Sequence, residues 1–127
     1  MFGPHLTLDL YSCDKKRIGD KKFIEKFLDK FPSIIGMHKI SKPFVIYYKG
    51  KKNSFDKGGV SGFVLIAESH ISIHTFVEQG FASIDLFSCK DFDIEKAKKF
   101  VIKSFKPKRI EEKFFSRGKY FQKNQNI

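Results

Sequence analysis

The chain has 127 residues, enough for one hydrophobic core and too few for two independently stable ones. Hydrophobic residues make up 41% of it, with sixteen phenylalanines, yet no apolar run reaches the eighteen or so residues that span a bilayer, so a globular protein without a membrane span is expected. The formal net charge of +11 invites a polyanion, but the lysine pairs at 15/16, 21/22, 51/52 and 98/99 are spread along the whole chain rather than gathered into one basic arm. No zinc-finger spacing, RRM signature or KH loop accompanies them, so non-enzymatic nucleic-acid binding is carried only as a distant alternative. The start of the chain lacks the pattern of a secretory signal, which makes the cytoplasm the expected location and free thiols the expected state of Cys13 and Cys89.

Taken in chain order, residues 5–11 alternate, with Leu6, Leu8 and Leu10 on one face and Thr7, Asp9 and Tyr11 on the other, as in a half-buried strand. A turn is predicted at 13–16. Asp20 then caps a helix with the apolar stripe Phe23, Ile24, Phe27, Leu28 and Phe31, which Pro32 is expected to end. Over 40–48, Pro43 gives way to Phe44, Val45, Ile46, Tyr47 and Tyr48, a strand pattern. Residues 50–59 are polar, lysine-rich and glycine-punctuated, a loop that carries one aromatic it does not need, Phe55. Two strands, 60–67 and 70–76, flank the dipeptide Glu68-Ser69, and a third runs over 81–87 after Gly80. Asp93 caps a second helix with Ile94, Ala97, Val101 and Phe105 at helical spacing and Phe100 beside them; Pro107 stops it, and a last strand is expected over 109–115. This order predicts a single α+β domain over 1–127, a two-layer sandwich of a mainly antiparallel sheet with two helices packed on one face.

Chemistry concentrates in Ala67-Glu68-Ser69-His70-Ile71-Ser72-Ile73-His74-Thr75, three hydroxyls and two imidazoles in a strand region. In a regular strand His70, Ser72 and His74 share one face while Ser69, Ile71 and Ile73 share the other, so spacing alone gives no Ser69–His74 dyad without a bend or bulge after Ser69. A polar solvent face of an antiparallel sheet is the plain alternative.

The run Gly59-Val60-Ser61-Gly62, then Glu68-Ser69-His70-Ile71-Ser72-Ile73-His74-Thr75, then Asp85-Leu86-Phe87-Ser88-Cys89 resembles the short prokaryotic class of S-adenosylmethionine decarboxylase proenzymes in order and spacing. The likeness extends from Tyr11-Ser12-Cys13-Asp14 to Lys106-Pro107-Lys108-Arg109 and Arg117-Gly118. It implies that Ser69 attacks the carbonyl carbon of Glu68, converting an amide into an ester. His74 then removes the serine α-proton, elimination releases the new carboxyl end, and the dehydroalanine hydrolyses to a pyruvoyl group with loss of ammonia. Ser61 would assist this processing. The mature enzyme would be a β chain of residues 1–68 and an α chain of 69–127 opening on the pyruvoyl group, with no metal and no pyridoxal phosphate. Loss of CO2 from an amino acid leaves electrons at Cα that a carbonyl-derived Schiff base can accept, and Cys89 matches the family's proton donor for the step that follows.

For the substrate, the resemblance implies S-adenosylmethionine, yielding the decarboxylated aminopropyl donor of spermidine synthesis. Phe55 and Phe76 would offer aromatic surface and Glu78 an acceptor for ribose hydroxyls. At 75–78 this chain reads Thr-Phe-Val-Glu where the family commonly reads Thr-Trp-Pro-Glu. A pyruvoyl-dependent arginine decarboxylase of the same family is the nearer alternative. The resemblance further implies a homo-oligomer, a dimer of αβ pairs. Cys13 is assigned to packing, and His5, His38 and His70 lack partners at metal-ligand spacing.

Overall fold

In the computed structural model, which describes residues 1–124, six strands form one antiparallel sheet with three helices on one of its faces. Chain order is β1 (Gly3–Tyr11), α1 (Lys15–Ile18), α2 (Lys21–Ile34), β2 (Phe44–Tyr48), β3 (Gly59–Ile66), β4 (Ser69–Phe76), β5 (Phe81–Ser88), α3 (Ile94–Phe105) and β6 (Arg109–Arg117). Across the sheet the order is β2-β3-β4-β5-β1-β6. The expected two-layer α+β sandwich is therefore present.

Period-2 alternation decides which face each strand buries. Leu6, Leu8 and Leu10 of β1, Val64 and Ile66 of β3, Ile71 and Ile73 of β4, and Ile84 and Leu86 of β5 turn inward. They meet Ile24, Phe27, Leu28 and Phe31 of α2 and Ala97, Val101 and Phe105 of α3, all buried. Each helix starts on an aspartate whose carboxylate accepts from backbone N–H groups of the first turn: Asp14 for α1, Asp20 for α2, Asp93 for α3. No helix among the described residues is long and apolar enough to cross a membrane.

Besides shifts of one or two residues at the ends of β1, β3, β4 and β5, four features differ from the sequence expectation. The predicted turn at 13–16 instead leads into the four-residue helix α1, too short for any periodicity to register, so the described residues hold three helices rather than two. Pro32 lies inside α2 instead of ending it. Proline forfeits one N–H bond to the preceding turn, but here the helix stops two residues later, and the Pro32 carbonyl accepts from Ile35 N (3.2 Å) and Met37 N (2.8 Å). β2 begins at Phe44, after Pro43, which has no N–H to give a ladder. β6 runs on to Arg117 because its pairing with β1 continues to Gly3.

The side chain of Phe105 ties α3 to α2: it is fully buried, with ring centroids 4.6 Å from Phe27 and 5.8 Å from Phe23. Phe105→Ala is expected to lower unfolding stability by about 3–5 kcal/mol in urea titration, the usual cost of deleting a buried ring. A loss under about 1 kcal/mol would mean that α3 is not seated on α2 in this way.

Candidate active site

β3 and β4 are joined by Ala67 and Glu68 alone, since Ile66 already pairs with Ser69. Two-residue hairpin turns ordinarily rely on positive φ at a glycine, asparagine or aspartate. Neither Ala67 nor Glu68 has positive φ; the distortion falls on the next residue, Ser69, at φ 147°. A side-chain-bearing residue held there costs about 1–3 kcal/mol, and such strain collects at functional sites. On one side of this turn the Glu68 carbonyl oxygen accepts from the Cys89 backbone N–H at 2.8 Å. On the other, the Glu68 carboxylate accepts from His38 N at 3.1 Å and from His38 Nδ1 at 2.8 Å. Burial pushes the Glu68 carboxyl up, but these hydrogen bonds outweigh it and hold the group below the usual carboxylate range.

Cys89 reaches Glu68 because β5 ends beside the turn: its last residue, Ser88, pairs with Ser69. The buried Ser88 hydroxyl donates to Lys90 O (2.7 Å) and accepts from Lys90 N (2.9 Å), turning the chain so that Cys89 is half-buried next to Glu68.

At the far end of β4, Ser61 stands directly across from His74, with Ser61 Oγ 2.8 Å from His74 Nδ1. The glycines flanking Ser61 allow this register. A Cβ on Gly59 would lie 1.8 Å from the Thr75 carbonyl oxygen, and one on Gly62 would press on Leu28 and Val45 at 3.0 Å. Buried Thr75 locks it, its hydroxyl accepting from Val60 N (2.8 Å) and donating to Ile18 O (2.7 Å). His74 opens on a polar cleft of about 380 Å³ that also takes in Asp9, Ser72, Ser83 and Asp85 on the helix-free face of the sheet.

The aromatic residues gather at this same end. Phe55, 75% exposed, stacks on Phe76 with centroids 6.1 Å apart and rings 28° from parallel. Phe76 meets Phe81 at 5.9 Å, and Phe81 meets Tyr11 at 5.3 Å. Gln79 Nε2 donates to Phe55 O at 2.5 Å, anchoring the lysine-rich loop over the stack. The resulting apolar pocket holds about 320 Å³, and Glu78 lies exposed in the turn beside it.

The structure thus divides the sequence-predicted residues into two groups. Glu68, Ser69 and Cys89 meet at the β3–β4 turn; Ser61, His74, Phe55, Phe76 and Glu78 lie at the opposite end of β4. Five strand residues at about 3.3 Å each put Ser69 and His74 about 16 Å apart along one chain. Cys13 is buried, and burial pushes its thiol up to about 11, which suits packing. Sequence reasoning set His38 aside and did not single out Gln79 or Thr75. No motif marks His38, whose contact exists only because the segment after α2 bridges to β3 through Lys39 and Ile66.

Comparison with known proteins identifies the family of the chain. The family model described as S-adenosylmethionine decarboxylase matches residues 4–118. An S-adenosylmethionine decarboxylase proenzyme of Sulfurihydrogenibium sp. is 37% identical over 120 residues, covering 91% of this chain and 82% of the relative. The proenzyme of that name from Archaeoglobus fulgidus is 32% identical over 117 residues, covering 91% of this chain and 97% of the relative. The crystal structure of the adenosylmethionine decarboxylase of Aquifex aeolicus superposes with a TM-score of 0.75 at 32% identity, covering 99% of this chain and 98% of that one. With its fold and nearly its whole length matched, the chain belongs to the S-adenosylmethionine decarboxylase family.

Proposed function

We propose that this chain is a decarboxylase of S-adenosylmethionine that cuts itself between Glu68 and Ser69 and makes its reactive ketone from Ser69. The observation that carries the proposal is the peptide unit at the turn, with Ser69 at φ 147° and the Glu68 carbonyl oxygen 2.8 Å from the Cys89 N–H. When Ser69 Oγ adds to the Glu68 carbonyl carbon, negative charge develops on the oxygen that this N–H already holds, so the donor needs no rearrangement. Collapse to the ester breaks the C–N bond and frees the strained serine backbone. Removal of the Ser69 α-proton then expels the Glu68 carboxylate, leaving polypeptides 1–68 and 69–127 within one domain.

His74 suits the role of base. With the proton on Nδ1 and donated to Ser61 Oγ, its Nε2 is free to accept, while the Ser61 hydroxyl proton can point toward the reacting carbonyl. The separation of about 16 Å supports a reading in which these two residues act on the Ser69 of a second copy. The helix-free sheet face supports such a dimer: it exposes Phe44, Ile46, Phe63, Leu65 and Phe115, more apolar surface than a solvated antiparallel face carries. A two-fold axis across the strands would reverse β4 of one copy over β4 of the other, and so complete two sites at once.

A ketone at position 69 supplies the electron sink that loss of CO2 from an amino acid requires. Cys89, beside that position, gives the proton that the substrate carbon takes up. Phe55 and Phe76 offer stacking surface to adenine, and the Glu78 carboxylate accepts from ribose hydroxyls. The relatives' names favour S-adenosylmethionine over arginine. Labelled S-adenosylmethionine is expected to release CO2 and labelled arginine not to; release from arginine alone would overturn the substrate.

Ser69→Ala removes the attacking oxygen, so this variant should stay a single inactive chain on a denaturing gel; two fragments from it would refute the cleavage chemistry. Shared sites make a sharper prediction. His74→Ala copies expressed alone stay uncut, but co-expressed with Ser69→Ala copies they are cut, because the intact His74 of one reaches the Ser69 of the other. A co-expressed pair that remains whole would contradict the two-copy site.

A further inference from the structure

We infer that His38 is a positioning residue for self-cleavage, gripping both carboxylate oxygens of Glu68 so that the Glu68–Ser69 peptide unit cannot turn away. This rests on the self-cleavage reading above. The grip is two-handed, through the His38 backbone N–H to Oε1 (3.1 Å) and the ring Nδ1 to Oε2 (2.8 Å). An ionised carboxylate only accepts, so Nδ1 carries the proton and the other ring nitrogen is left to solvent on a side chain that is 74% exposed. The Glu68 side chain, by contrast, is only 11% exposed, so its contacts decide its orientation.

Neighbouring backbone bonds fix the histidine itself. Ala67 N donates to His38 O at 2.8 Å and Ile40 N to Leu65 O at 3.0 Å, laying residues 38–40 along the end of β3. With the Ala67 N–H, the Glu68 carboxylate and the Glu68 carbonyl oxygen all held, the distortion of the turn is confined to Ser69. Loss of the ring would release Oε2 and leave the carboxylate free to pivot about the single backbone bond to Oε1.

The test is the rate at which full-length chain converts to two fragments during cell-free synthesis. Asparagine can place an amide nitrogen where Nδ1 stood, whereas glutamine reaches to the other ring nitrogen and alanine offers nothing. His38→Asn should therefore cut within about twofold of wild type, and His38→Ala and His38→Gln about tenfold or more slower, since ~1 Å of misplacement can cost ~10²-fold. In the Ser69→Ala background, where every chain stays whole, all three substitutions should melt together. His38→Ala cutting at the wild-type rate, His38→Asn as slow as His38→Ala, or the Ala and Gln variants melting lower than the Asn variant would overturn the positioning role. A wild-type chain that stays uncut would overturn the self-cleavage reading and this inference with it.

Discussion

A hairpin closed by two residues, neither of them glycine, has to put its distortion somewhere, and in this chain the distortion lands on the serine that follows. Ala67 and Glu68 keep negative φ, and Ser69 is driven to 147°. The sheet makes this possible. β4 is central, laddered to β3 on one side and β5 on the other, so Ser69 cannot relax without breaking pairs at Ile66 and Ser88. Stability built across the whole sandwich thus holds Ser69 in an unfavourable conformation, and in the proposed self-cleavage the conversion of its amide to an ester is the relief.

The same extended geometry that strains the turn also separates the chemistry. A strand cannot fold back on itself, so residues five apart on β4 serve opposite ends of the sheet. One end holds the proposed cleavage site and the thiol; the other holds the imidazole, its serine partner and the aromatic stack. For the proposed chemistry, neither end alone is a complete site. In the proposed dimer, one device answers both an exposed apolar sheet face and a pair of half-sites on one strand: a second copy placed across that face.

Much of the fold was legible because burial alternates along the strands and repeats along the long helices. Leu6, Leu8 and Leu10, or Phe27, Leu28 and Phe31, declare their element by spacing alone. α1 was not legible, since four residues carry no period, and neither was the continuation of α2 past Pro32, which depends on how near the helix end a proline falls. At the site, the serine and histidine types were evident, but their grouping was not. Pairing of Ser61 with His74 follows from β3–β4 register, which two flanking glycines and Thr75 impose. The His38 contact is purely tertiary: 30 residues separate it from Glu68, and no pattern in sequence links them.

Everything rests on the amide between Glu68 and Ser69 being consumed by its own serine. Mass spectrometry of the freshly purified, unlabelled protein, followed by treatment with a hydrazide reagent, examines that bond directly. The account predicts two polypeptides, one ending at Glu68 and the other opening at position 69 with a blocked terminus that takes up the hydrazide. A single intact polypeptide that takes up none, after prolonged incubation, would contradict it.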